Sequence, residues 1–499
     1  MKQWIGIALA VLLPGWATAR AGDADLQAQV AALQQRIAQL EAQQSEQAVS
    51  QRNAELVGQM VRDLAQQSHG PAADTSVTAG YDKRFFIKST DDQFKLELDT
   101  LLQFRHTYAY ANDGDRRVTK YGTAWQYDDD WNPVDRARDL GTSASAFELE
   151  RARVALLGHV LKDLNYRIVL EGDDDSRKGE YLYEYELNYS FMPELGVRLG
   201  KYKAPFGKGE MVSNARQMLV DGSLANEVFN LDRATGVELF GTLNLGDVKP
   251  EYRAMMFNKF RGDNDAPFAQ NDNSPSVAAR LVTPLLGATS ADFENESDLE
   301  FHENPVWQLG GSFAYANDRN ENHFAGGESS AYPFLGKSGV DGQADVYRLG
   351  GEATMLGADV ACKYLGLSVI LEGFYQHLNP DDCLTGADDF TGFGTNRSLG
   401  VLQGDSLDNY GWYAQAGYFV VPSTLELAAR VGGVCVDNAT DSYEYTGGWN
   451  WYLNKSQDLK LSMDLTYIDR LPIVSSSANY DGVQNQGLFL VRTQLQFQF

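Results

Sequence analysis

The residues with most chemistry to offer are basic ones at alternate positions. Lys95, Arg105, Arg151, Arg153, Arg167, Arg198, Arg253, Arg280, Arg430, Lys460 and Arg492 all stand in runs where apolar and polar residues alternate. A guanidinium presents planar, bidentate donors that fit a carboxylate or an oxyanion. Nine acids take equivalent positions, namely Glu97, Asp99, Glu171, Glu184, Glu186, Glu238, Glu372, Glu426 and Asp464. The shared face therefore leans only slightly basic, and a carboxylate on a neighbouring strand competes for every guanidinium. Bond-making chemistry has no comparable set of residues. The histidines, scattered from His69 to His377, make no constellation with Ser or Asp, and no nucleophile motif accompanies them. The chain reads as a non-enzyme with no cofactor and no metal site.

Those residues need strands to position them, and composition allows strands. The chain has 499 residues and a formal net charge of −26, too acidic to clamp nucleic acid by its overall field. Tyr (25) and Gly (47) are abundant while Cys (3) and Pro (14) are scarce, which argues against a disulfide scaffold and against disorder. After residue 20 no stretch approaches the roughly 18 apolar residues of a membrane-spanning helix. A membrane β-barrel escapes that test.

The first seventy residues differ from the rest. Met1-Lys2, the apolar run Ile5 to Leu13, Pro14-Gly15 and Ala17-Thr18-Ala19 form the three parts of a signal peptide over residues 1–19. Leu26, Val30, Leu33, Ile37 and Leu40 then recur at spacings of four and three, the seam of a coiled coil. The pattern weakens at Gln44 and Gln47, returns at Leu56, Met60 and Leu64, and stops at His69-Gly70-Pro71. The expectation is a periplasmic α-helical coiled coil over 20–69 that self-associates, then a linker and short β entry over 70–92.

Beyond residue 79 the period becomes 2. Phe94, Leu96, Leu98, Thr100, Leu102 and Phe104 alternate with Lys95, Glu97, Asp99, Gln103 and Arg105. Tyr181 to Phe191 and Leu459 to Tyr467 repeat the alternation. About sixteen such strands follow from Phe94, joined by tight turns such as Lys162-Asp163, Pro193-Glu194, Leu365-Gly366 and Pro422-Ser423 and, in alternation, by long polar stretches. Only the connection from Pro284 to Pro305 is long where a short turn is due. The final run, Phe489 to Phe499, is amphipathic and ends on an aromatic. Tyr410, Trp412, Tyr418, Trp449 and Trp451 suit aromatic girdles at two membrane interfaces. The predicted fold is all-β, a sixteen-stranded antiparallel transmembrane barrel over residues 93–499. Tyr81 to Lys88 is a further strand-like run placed outside it.

Several runs resemble one known family. Tyr81-Asp82-Lys83-Arg84-Phe85-Phe86-Ile87-Lys88-Ser89 with Phe94-Lys95-Leu96-Glu97-Leu98 looks like the barrel entry of the phosphate-selective porins, as does Glu150-Arg151-Ala152-Arg153-Val154. Val197-Arg198-Leu199-Gly200-Lys201-Tyr202-Lys203-Ala204-Pro205-Phe206 is the most specific piece, and Asp232-Arg233-Ala234-Thr235-Gly236-Val237-Glu238 resembles the strand entry beyond it. The resemblance implies a trimeric outer-membrane porin whose third outer loop, here Ala204 to Asp232, folds into the lumen. It implies passive diffusion of small ions, with phosphate favoured. Lys201, Lys203, Lys208 and Arg216 then stand at or in that loop, beside Arg105, Arg151, Arg153, Arg167, Arg198 and Arg253 as pore-lining, anion-binding residues.

Two rival readings stay open, a general or sugar-specific diffusion pore and a tether from outer membrane to cell wall. Acidic residues collect in stretches read as outer loops: Asp128 to Asp130, Asp173 to Asp175, Asp263, Asp265, Glu294 to Glu300 and Asp381-Asp382. Such loops could meet lipopolysaccharide through divalent cations. Cys383 and Cys435 fall in adjacent outer loops, where an exported protein could join them in a disulfide.

Overall fold

A computed structural model describes residues 77–111, 126–127, 133–134, 143–172, 181–258, 275–318, 351–380, 406–435, 437, 441–470 and 487–499. The signal peptide, the coiled coil, Cys383 and the acidic runs at 128–130, 173–175, 263–265 and 381–382 lie outside them. No helix among the described residues is long and apolar enough to cross a membrane.

The chain opens on a hairpin, β1 (Val77–Asp82) and β2 (Arg84–Ser89), then enters β3 (Phe94–Ala111). A two-residue ladder, β4 (Gln126–Tyr127) and β5 (Pro133–Val134), pairs apart from the main sheet. Next come β6 (Ser143–Val160), β7 (Leu164–Gly172), β8 (Tyr181–Met192), β9 (Leu195–Lys203), β10 (Arg233–Thr242), β11 (Glu251–Phe257) and β12 (Ser276–Leu285). The remainder are β13 (Val306–Asp318), β14 (Gly351–Tyr364), β15 (Leu367–Pro380), β16 (Leu407–Val421), β17 (Leu425–Cys435), β18 (Ser442–Tyr452), β19 (Leu459–Ile468) and β20 (Leu488–Gln498).

From β6 to β20 the strands pair antiparallel in sequence order, and β3 takes β6 on one side and β20 on the other, closing sixteen strands. Closure is what a sheet in lipid requires, because it leaves no edge amide without a partner. The outward rows are apolar and exposed, as at Leu102, Phe104, Tyr108, Leu427, Val431, Leu465 and Tyr467. That apolar surface belongs to the hydrocarbon of a membrane.

The run Tyr81 to Lys88 is not a single strand outside the sheet. Lys83 turns it with φ of 60°, making the β1–β2 hairpin. β2 then pairs with Phe85↔Leu98 to Lys88↔Lys95, the stretch of β3 that extends past the end of β20. The ring of Phe85 meets that of Phe499 edge-on at 5.9 Å, so the hairpin continues the barrel wall where the last strand stops.

The long connection between β12 and β13 is the second departure. It lies at the same end as the turns Leu161–Asp163, Leu365–Gly366 and Pro422–Thr424, so its acidic run Glu294 to Glu300 is not an outer loop. It coils through a short 3₁₀ turn, Ser290–Phe293, and buries Glu296, Ser297 and Asp298.

Candidate functional site

The lumen contains a folded loop. Lys203 ends β9, and Ala204-Pro205-Phe206 turns the chain inward, with the Ala204 N–H donating to the carbonyl of Asp232 where the loop returns. Gly207 makes the bend with φ of 69°, and a Cβ there would stand 3.1 Å from Glu372 Oε1. The loop carries two short helices, Lys208–Met211 and Leu224–Phe229. Phe229 and Phe206 stack on Phe374 of β15 at centroid distances of 5.6 and 6.1 Å. All three rings are buried inside the barrel.

Wall carboxylates cap the loop's backbone. Glu372 accepts the N–H groups of Lys208 and Gly209, and the Tyr413 hydroxyl donates to it at 2.7 Å. Asp464 accepts the Val220 N–H at 3.1 Å and Glu444 the Leu224 N–H at 2.7 Å. Cationic and amide side chains hold the carbonyls. Arg430 donates to the carbonyls of Asp221 and Gly222, Lys460 to that of Gln217, and Asn450 to that of Met218.

The densest charge cluster surrounds Asp221, which bridges Arg105 at 2.7 Å and Arg492 at 2.6 Å. Burial works against its charge. The two guanidiniums outweigh that and hold its carboxyl well below the usual carboxylate range. At Lys208 burial wins instead: the ammonium sits below its ordinary range although Asp359 favours the charge.

The connection between β12 and β13 reaches the same loop from the short-turn end. Glu294 pairs with Arg216, while Glu296 accepts the Met218 N–H at 2.7 Å and donates its own N–H to the Arg216 carbonyl. Ser297 bonds Glu426 and Tyr452, and Lys363 donates to the carbonyls of Asp292 and Ser297. Two inward segments thus meet near Arg216 and fasten to β13–β20 and the later half of β3.

The wall from β6 to β11 is less covered. The Arg167 side chain is 47% exposed, Arg253 23% and Arg198 22%. On the packed side Arg430 and Glu444 retain 2% each. Each of those three arginines still has a carboxylate: Arg167 lies 3.7 Å from Glu184, Arg198 3.3 Å from Glu186, and Arg253 2.9 Å from Glu238.

The ten residues predicted for the pore separate into groups. Arg105 is buried under the loop and pairs with Glu150 as well as Asp221. Arg151 contacts Glu150 and Gln103, and Arg153 contacts Glu171, Asn214 of the loop and the Tyr183 hydroxyl. Arg167 is exposed, while Arg198 and Arg253 are half-buried and Arg253 also meets Met211 of the loop. Lys203 donates to the carbonyls of Glu210 and Val212, Lys208 reaches Gln308 at 2.9 Å, and Arg216 pairs with Glu294. Lys201 is the exception, because its register partners Tyr185 and Thr235 continue the outward row of Leu199. It faces away from the lumen.

Tyr183 departs from the alternation expected over Tyr181 to Phe191. The register shift between Val169 and Leu170 turns it inward, where the guanidiniums of Arg153 and Arg233 lie over its ring at 4.2 and 3.9 Å. Asp221, Asn214 and Glu296 were missed in the sequence. Their only signal was polarity inside a loop expected to turn inward, and a connection too long for a turn.

Residues 402–499, which contain β16 to β20, match the model of the family described as phosphate-selective porin O and P. The family resemblance is shown by that match. It falls in the half of the barrel where the sequence motifs were weaker, since those lie between residues 79 and 258. No curated protein matches the chain. Among solved structures, an anion-selective porin from Comamonas acidovorans is similar at a TM-score of 0.48 and 10% identity, over 81% of this chain and 99% of that one. The outer membrane channel DcaP of Acinetobacter baumannii gives 0.44 and 10%, over 84% and 100%. A trimer form of the Vibrio cholerae outer membrane protein OmpT gives 0.41 and 10%, over 81% and 99%. The closed barrel and the family match over residues 402–499 support an outer-membrane channel.

Proposed function

We propose that the chain is a porin for passive diffusion of small ions, with anions favoured and phosphate among them. Ions pass between the inward loop and the β6–β11 wall. The observation that carries this reading is the set Arg167, Arg198 and Arg253, of which Arg167 is exposed and Arg198 and Arg253 are half-buried, whereas their counterparts on the opposite wall are buried under the loop. An ion entering such a path trades hydration for fixed charge. The paired acids Glu184, Glu186 and Glu238 favour a second reading, a general pore with a transverse field and weak selectivity.

The working assembly in this reading is a homotrimer in outer-membrane lipid and lipopolysaccharide, exported by the leader 1–19, with the helix of residues 20–69 in the periplasm. The test is the reversal potential of the reconstituted channel in asymmetric potassium chloride, repeated with phosphate added. Anion preference with reduced chloride current in phosphate is expected. Cation preference, or a chloride current indifferent to phosphate, removes the anion assignment.

A further inference from the structure

The connection between β12 and β13 carries a group that conduction does not use. Asp292, Glu300 and His302 bring one ligand atom each to within 4.8 Å of one another. His302 Nδ1 lies 2.5 Å from Oδ1 of Asp298, a fully buried carboxylate that also accepts the Gly366 N–H at 2.8 Å. This bond assigns the ring proton to Nδ1 and leaves Nε2 as a lone pair. Nε2 faces Asp292 Oδ1 at 3.5 Å and Glu300 Oε2 at 3.8 Å.

Asp292 is fixed just as firmly. Its Oδ2 accepts the Thr289 N–H at 2.6 Å and the Thr289 hydroxyl at 3.0 Å, which turns Oδ1 toward the ring. Three acceptors therefore converge, two of them held by partners outside the trio. Only a cation complements them, either a second proton on the imidazole or a metal ion.

We propose that Asp292, Glu300 and His302 bind a divalent transition-metal ion such as Zn²⁺ at the short-turn end of the barrel, with Asp298 as a positioning residue. One imidazole and two carboxylates suit zinc, whereas Ca²⁺ and Mg²⁺ favour all-oxygen shells. The site is two residues from Glu294, which holds Arg216 of the luminal loop. Bound metal would stiffen that anchor.

The test is calorimetric titration of Zn²⁺ and of Mg²⁺ into the untagged, EDTA-stripped full-length protein in detergent. One Zn²⁺ per chain is expected, with Mg²⁺ much weaker. Affinity should fall at least about tenfold in Glu300→Gln and His302→Ala and about 10–100-fold in Asp298→Asn. His377→Ala, which alters the His377–Asp408 pair in β15 and β16, should bind as the parent does. Glu300 is largely exposed, so its variant keeps the fold and the readout even if the buried ones do not. No saturable Zn²⁺ binding, equal affinity in Glu300→Gln, or equal Mg²⁺ affinity would overturn the site.

Discussion

The two walls of the lumen carry similar side chains and put them to different uses. On β15–β20 Glu372, Glu444, Asp464, Arg430 and Arg492 are spent on backbone groups and on Asp221 of the inward loop. On β6–β11 Arg167, Arg198 and Arg253 pair across strands and keep a solvent face. Inward orientation is therefore a poor guide to what an ion meets. What decides is whether the loop lies on top, because a buried charge must be satisfied within the protein and is no longer offered to a solute.

The largest effect should come from breaking the packed wall at its centre. Asp221→Ala leaves Arg105 and Arg492 buried with their shared partner gone, at a cost of about 3–5 kcal/mol. The loop should leave the wall, and single-channel conductance should rise while thermal unfolding moves down. Conductance and melting equal to the parent would show that the loop is held elsewhere. Phe229→Ala, which removes one ring of the Phe206–Phe374–Phe229 stack, should cost a similar 3–5 kcal/mol by the same two measurements.

Glu372→Gln is milder. The amide loses the charge that accepts the Lys208 and Gly209 N–H groups, worth about 1–3 kcal/mol, and the channel should become noisier rather than wider. On the open wall the order reverses. Arg167→Glu should change stability by no more than about 1 kcal/mol, since its pair is long and exposed. Its effect should appear in the reversal potential, shifted toward cations. A stability loss without a selectivity shift would make the two walls alike.

The dependence on pH should be smallest. The folded pKa of Asp221 is depressed, so its contribution is complete above the unfolded value near ~4 and is lost only as pH falls through the much lower folded value. Conductance should stay level from pH 8 to 5. A step within that window would mean that titration of another of the loop's anchors, not of Asp221, governs its hold.

Much of this was legible in the chain because period 2 survives in lipid as it does in water. Strand faces, tight turns and the closing strand all follow from Phe94, Leu96 and Leu98 against Lys95, Glu97 and Asp99, repeated to Phe499. The misses share a cause. Alternation reports a face and says nothing of what lies over it, so Arg105 and Arg167 looked equivalent although one side chain is 1% exposed and the other 47%. Bulges also shift the count, as at Tyr183. The turn-end connection hid its role because an acidic run reads as solvated, whereas Glu296 and Asp298 find buried N–H donors at Met218 and Gly366.

Thiol accessibility tests the asymmetry most directly. With Cys362, Cys383 and Cys435 changed to Ser, Arg167→Cys and Thr446→Cys place single thiols on the open wall and under the loop. A charged methanethiosulfonate added to the bilayer chamber should change the current through Arg167→Cys within seconds and leave Thr446→Cys untouched. Equal modification rates at the two positions would contradict a loop packed on one wall and a path along the other.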